Sequence, residues 1–184
     1  GGKAQLLESL TYLMPRSFGR YFEPFIGGGA LLLDRQPENA VIGDVNSQLI
    51  NAYAQIRDNP EAVIECADRL DAVPCTKELF MEQRDRYNQK IAGGIMDAEC
   101  AGLMIWINKH CFNGLYRVSK KGVFNVPWNR KAKVRSLDPE SIRGISEYLR
   151  ESHVEIRNCD FEETCSGSKA GDFVYFDSPY VPVS

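Results

Sequence analysis

The stretch Tyr21-Phe22-Glu23-Pro24-Phe25-Ile26-Gly27-Gly28-Gly29-Ala30-Leu31-Leu32 leaves few folds open. Residues 20–25 read as a short apolar strand, Ala30 onward reads as the start of a helix, and three glycines join the two. Strand, glycine turn and helix in immediate succession form half of a βαβ unit, which builds parallel sheet. The pattern returns at Ala40-Val41-Ile42-Gly43, a second short strand that ends on Asp44, with Asn46 placed to cap the following helix.

Helical signals then continue to about residue 108. Leu49, Ile50, Tyr53 and Ile56 repeat at helical spacing up to Asn59-Pro60. Thr76 is placed to cap a helix with Leu79, Phe80, Gln83, Tyr87 and Ile91 on one stripe, and Asp97 to cap another with Leu103, Met104, Trp106 and Ile107. Leu115–Val118 and Val123–Val126, separated by Ser119-Lys120-Lys121-Gly122, predict a β-hairpin that Pro127 stops. Asp138-Pro139-Glu140 opens a helix with Ile142, Ile145 and Leu149 on its buried face. His153–Ile156 and Phe173–Phe176 predict two further strands. The expected fold class is α/β: a parallel-sheet domain from residues 1–50 and 136–184, with residues 51–135 inserted as a helical and basic-hairpin subdomain.

The 184 residues, 43% hydrophobic, suffice for one sizeable core. Six cysteines at wide spacings, without a C-x-x-C pair and with only two histidines to join them, argue against a metal site or a disulfide framework, so reduced thiols are expected. No stretch approaches the roughly 18 apolar residues of a membrane span, and the expectation is a cytoplasmic protein without a membrane partner. Charge is distributed unevenly. Between Lys109 and Arg135 there are eight Lys and Arg and no Asp or Glu, which leaves about −11 on the rest of a chain whose total is −3. A basic segment on an acidic body suits a polyanion held at one face.

The glycines between strand and helix stand where a ligand can approach the backbone. A phosphate-binding P-loop requires Gly-Lys-Ser/Thr, whereas Ala30 and Leu31 follow Gly29 here. The dinucleotide pattern G-x-G-x-x-G matches at Gly27 and Gly29 but meets Leu32 at its third glycine. Asp44 at a strand end can accept the hydroxyl protons of a ribose or, equally, cap the next helix. S-adenosylmethionine has a ribose and no phosphate chain, and so fits this combination. At Asp177-Ser178-Pro179-Tyr180, after a late strand, a carboxylate and the Ser178 carbonyl can accept the two hydrogens of an aromatic amine, directing its lone pair at an incoming methyl group. Pro179 stiffens the turn, and Tyr180 can stack on a base.

Six stretches in order carry a resemblance: Gly1-Gly2-Lys3, Glu23-Pro24-Phe25-Ile26-Gly27-Gly28-Gly29, Gly43-Asp44-Val45-Asn46, Phe112-Asn113-Gly114-Leu115-Tyr116-Arg117, Gly122-Val123-Phe124-Asn125-Val126-Pro127 and Asp177-Ser178-Pro179-Tyr180. Across nearly its whole length the chain resembles the Dam-type adenine-N6 DNA methyltransferases. The resemblance implies a Rossmann-like sheet that binds S-adenosylmethionine, without a metal, and a duplex DNA substrate with a GATC-like site. It implies contacts to the methyl donor from Lys3, Glu23, Pro24, Phe25, Gly27, Gly28, Gly29, Asp44, Asp160, Phe161 and Asp177. Asp177, Ser178, Pro179 and Tyr180 form its catalytic motif. DNA contacts are implied for Phe112, Asn113, Leu115, Arg117, Lys120, Lys121, Asn125, Pro127, Arg130 and Lys131, with Phe112 as a wedge in the base stack and Arg117 able to read guanine. The target adenine is then flipped out to Tyr180.

The resemblance further implies a bacterial or phage origin, a place at the nucleoid and no obligate protein partner. Ser178 stands where the family usually has Pro, and Lys131 where relatives often have Tyr. Relatives continue beyond the catalytic motif, so the sequence is expected to be a fragment of a methyltransferase. The alternative expectation is an incompetent remnant that retains binding to DNA or to the methyl donor.

Overall fold

The computed structural model describes residues 2–119 and 121–178, and for residues 2–6 and 8 the backbone alone. In chain order the elements are α1 (Gly2–Leu13), β1 (Tyr21–Glu23), α2 (Ala30–Arg35), β2 (Ala40–Gly43), α3 (Ser47–Asp58), α4 (Pro60–Asp71), α5 (Lys77–Ala92), α6 (Ala98–His110), α7 (Pro139–Glu151), β3 (Glu155–Arg157), α8 (Phe161–Thr164) and β4 (Phe173–Val174). A single 3-10 turn, Phe112–Gly114, follows α6. The chain divides into two compact units, one made from the residues up to Ile50 together with those from Glu147 onward, the other from Asn51–Ser146. The second unit thus extends past the expected limit at residue 135 and takes in the first part of α7.

In the first unit four strands lie in the order β3-β2-β1-β4, and every pair is parallel. Parallel pairing sends all four carboxyl ends to one edge. The chain steps outward from β1 through β2 to β3, then returns to β1's other side for β4, which places a topological switch between β1 and β4. Tyr21, Phe22, Val41 and Ile42 are fully buried, as a sheet covered on both faces requires. Leu31 and Leu32 of α2 share this core with Leu149 and Val154.

Two strands differ from the sequence expectation. β3 begins two residues late because His153 takes a left-handed φ of 52° while the Val154 amide still bonds the Leu149 carbonyl at the end of α7. β4 is assigned only to Val174, although the Tyr175 amide still donates to Phe22 O at 2.8 Å.

The second unit is helical. α4 and α6 pack closely because Gly102 has no side chain: a Cβ there would stand 2.6 Å from Cys66 Cβ. Val63, Phe80, Tyr87, Leu103, Trp106 and Ile107 form the core with Phe124 and Val126 from the segment after α6. Thr76 and Asp97 cap α5 and α6, accepting from the amides of Leu79 and Cys100. Lys90 closes the turn between these helices, 2.7 Å from Asp97 and 2.8 Å from Glu99. The predicted hairpin strands do not form a ladder. Among the described residues they pair at one antiparallel bridge, Val118–Phe124, and a second bridge, Cys111–Trp128, lies outside the predicted strands.

Candidate functional site

The turn after β1 is shaped by its glycines. Gly27 and Gly29 adopt φ of 47° and 62°, a left-handed conformation that costs a residue with a side chain, and Gly29 is the N-cap of α2. The Gly29 amide closes the turn on Ile26 O at 2.7 Å, while the Ile26 amide donates to Gly43 O at the end of β2. At Gly28, exposed at the turn's outer side, an added Cβ would meet nothing within 4 Å. Glu23, the last residue of β1, and Pro24 lead into this turn and are buried. The Glu23 carboxylate accepts from Tyr21 Oη.

Asp44 follows β2 and faces the same turn. Its Oδ1 accepts from the Asn46 amide at 2.9 Å, and Oδ2 lies 3.5 Å from the Gly27 amide. The cap of α3 is Asn46, whose Oδ1 accepts from Gln48 and Leu49, so the capping alternative for Asp44 falls away. Asn158, after β3, donates to Asp44 O at 2.9 Å.

The loop after β3 reaches this edge through α8, a single turn that the sequence pattern does not reveal. Asp160 caps it by accepting from Glu163 N at 2.9 Å, and Thr164 Oγ1 donates back to Asp160 O at 2.7 Å. Buried Thr164 sits against β2 because Gly43 has no side chain, for a Cβ there would lie 2.1 Å from Thr164 Oγ1. Phe161 stacks on Phe25 with 5.8 Å between ring centroids and 23° between ring planes, and Phe25 also meets Phe176 at 6.3 Å. Three loops, after β1, β3 and β4, thus meet through aromatic rings, two of them half-exposed: Phe161 at 44% and Phe176 at 55%. Phe176 escapes sequence reasoning because nothing local distinguishes it from a strand residue.

Asp177, partly buried, and Ser178, exposed, follow β4 at the same sheet edge. Lys120, Pro179 and Tyr180 lie outside the described residues, as does the side chain of Lys3, whose backbone belongs to α1. Among the described residues no three His, Cys, Asp or Glu side chains converge as metal ligands, and no helix is long and apolar enough to cross a membrane.

The second unit holds the basic segment. Phe112, Asn113, Leu115, Arg117, Lys121, Asn125, Pro127, Arg130 and Lys131 are all exposed, Phe112 and Leu115 at about half of their area. Near the start of this segment the Phe112 amide donates to Pro127 O and the Asn129 amide to His110 O. Towards its tip, Ser119 N donates to Val123 O, and Arg117 Nε donates to Asn125 Oδ1 at 2.9 Å. Asn113 and Arg130 adopt left-handed backbone, with φ of 55° and 65°, where the arms leave extended structure. An exposed, acid-free set of cations mixed with apolar and amide side chains can hold phosphates and touch base edges at once.

Comparison with known proteins gives a consistent picture. The family model described as D12 class N6 adenine-specific DNA methyltransferase matches residues 1–184. A type II methyltransferase of Lactococcus lactis subsp. cremoris, M1.LlaDCHI, is 43% identical over the whole chain, which covers 64% of that protein. Another type II methyltransferase, M.MjaIII of Methanocaldococcus jannaschii, is 33% identical over the whole chain, covering 68% of it. The DNA adenine methylase of Vibrio cholerae is 31% identical, again over the whole chain and 64% of the relative. The chain therefore spans about two thirds of the length of these relatives.

Proposed function

Because the chain belongs to the D12 class N6 adenine-specific DNA methyltransferase family, we propose that it transfers a methyl group from S-adenosylmethionine to adenine N6 in a specific, GATC-like site of duplex DNA. The observation that carries this reading is the strand order β3-β2-β1-β4, which brings the glycine turn, Asp44, Asp160-Phe161 and Asp177 to the carboxyl edge of one parallel sheet.

The residues at this edge fit the donor. The glycine turn presents open backbone at Gly28, the Asp44 carboxylate is placed to accept from ribose hydroxyls, and the half-exposed ring of Phe161 offers a flat surface to an adenine. Glu23 and Pro24, both buried, lead from β1 into Phe25 and the turn, and Lys3 is assigned to the donor by the resemblance alone. When bound, the donor supplies an electrophilic methyl group on a sulfonium. The protein's own part is orientation. Asp177 and the Ser178 carbonyl accept the two N6 hydrogens and aim the nitrogen lone pair, while Pro179 and Tyr180 shape the slot for the flipped base. Since the acceptor at position 178 is a backbone carbonyl, Ser in place of Pro keeps the chemistry and loosens the turn.

The exposed basic segment supports duplex DNA as the substrate. Arg117, Leu115, Pro127 and Arg130 are assigned to base edges, Phe112 to the base stack, and Asn113, Lys120, Lys121, Asn125 and Lys131 to the surrounding backbone and bases.

The test is transfer of radiolabelled methyl from S-adenosylmethionine to a GATC-containing duplex, to the same duplex already methylated at adenine, and to RNA. Label entering only the unmethylated duplex is the expected result. Label in RNA, or in none of the three, overturns the reading.

A further inference from the structure

The two arms of the basic hairpin hold each other sparingly, through one bridge near the tip and one at the base. Two backbone bonds bracket the tip bridge, Ser119 N to Val123 O at 2.8 Å and Asn125 N to Arg117 O at 3.3 Å, and adjacent residues of α5 hold the opposite edge of the returning arm. The Asn88 amide engages both backbone groups of Phe124: Nδ2 donates to Phe124 O at 3.1 Å and Oδ1 accepts from Phe124 N at 2.8 Å. These are the two bonds a neighbouring antiparallel strand would make, here supplied by a side chain. One residue earlier, the Tyr87 hydroxyl pairs with the Tyr116 hydroxyl at 3.1 Å across to the outgoing arm, and the Tyr87 ring meets Phe124 edge-on at 6.1 Å.

This grip has a directional consequence. Alternate residues of an extended segment point to opposite sides. With Tyr116 and the fully buried Phe124 held against α5, their neighbours Arg117 and Asn125 are turned outward, and both are exposed. Arg117 Nε donates to Asn125 Oδ1, which ties the guanidinium to the returning arm and leaves the terminal-nitrogen edge for a bidentate guanine contact. A slip of one residue in the returning arm would exchange the two faces.

We propose that Asn88 is a positioning residue for sequence discrimination, since by engaging both backbone groups of Phe124 it fixes the returning arm against α5 on the side that leaves Asn125, and Arg117 paired with it, facing the base edges. This rests on the reading of the hairpin as a DNA-recognition element. Phosphate attraction depends little on register, so Asn88 affects the choice among sequences and leaves general DNA affinity alone.

The experiment measures equilibrium binding of the wild type, Asn88→Ala and Val63→Ala to a GATC duplex and to duplexes with one base pair changed, over a range of salt, alongside thermal melting. Val63, buried in α4, serves to separate a loss of stability from a loss of register. Asn88→Ala is expected to narrow the ratio of cognate to changed-site affinity by roughly tenfold, within what one bidentate base contact supplies. Affinity for changed sites and the salt slope stay as in the wild type. Val63→Ala melts earlier and keeps its discrimination. Full discrimination by Asn88→Ala overturns the proposal, as does an equal loss in a Val63→Ala protein destabilised to the same degree. A wild type that binds all duplexes alike refutes the DNA-reading role of the hairpin itself, and the role of Asn88 falls with it.

Discussion

Tyr21 Oη donates a 2.6 Å hydrogen bond to Glu23 Oε2, two residues further along β1, and both side chains are buried. Burial above all, with the Glu23 charge added to it, drives the Tyr21 phenol far above its ordinary range, so it remains a donor throughout the working pH range. The bond fixes a buried carboxylate at the end of β1, just before the glycine turn. Tyr21→Phe removes the donor and should cost about 2 kcal/mol, the scale of a hydrogen bond to a charged group. Urea unfolding checks this, and an unchanged midpoint would show that the Glu23 carboxylate does not depend on Tyr21.

Asp177→Ala is expected to abolish methyl transfer while leaving duplex affinity within a few-fold of wild type, because the residue is assigned to the flipped base and not to phosphates. Single-turnover transfer paired with a binding titration separates the two effects. Wild-type turnover by the variant would sink the assignment.

Arg117→Ala should weaken binding to the cognate site by about 1–3 kcal/mol and relax the preference at one base pair. Competition between cognate and single-base-changed duplexes reads this directly. Equal weakening on every sequence would instead identify Arg117 as a phosphate contact.

Asp172 ties the entry of β4 to the entry of β1. Its Oδ1 accepts from Arg20 N at 2.8 Å and its Oδ2 from Lys169 N at 2.9 Å. The Arg20 amide, and next the Lys169 amide, hold this carboxyl below its usual range. A carboxyl whose folded pKa is depressed contributes stability that is present above the unfolded value, about 3.9, and is lost as pH falls through the folded value. Asp172→Asn should therefore lower the urea midpoint at pH 7 and narrow the difference between pH 7 and pH 3. An unaltered pH profile would exclude this carboxyl as a source of acid sensitivity.

Much of the frame was legible beforehand, for reasons that differ from one element to another. β2 follows from an apolar tetrapeptide that stops at Gly43, and the starts of α3, α5 and α6 follow from Asn46, Thr76 and Asp97, whose side chains satisfy amides within a few residues. The hairpin that the pattern predicts between residues 115 and 126 forms only in part. The alternation there is real, but the arms pair only at Val118–Phe124, and the other edge of the returning arm is taken by Asn88, 36 residues away from Phe124. α8 leaves no mark in the sequence pattern, since its single turn packs Thr164 against the bare backbone of Gly43.

The sequence by itself determined the strand–glycine–helix unit, the helix caps, the concentration of positive charge and the carboxylate that follows the last strand, because each depends on neighbours within a turn or two. Only the tertiary structure decided that Phe25, Phe161 and Phe176 meet, that Asp44 faces Gly27 while Asn46 does the capping, and that α5 holds Tyr116 and Phe124. Those contacts join residues far apart in the chain. They arise when strand order and close packing at Gly43 and Phe124 bring side chains together, and local periodicity carries no record of such encounters.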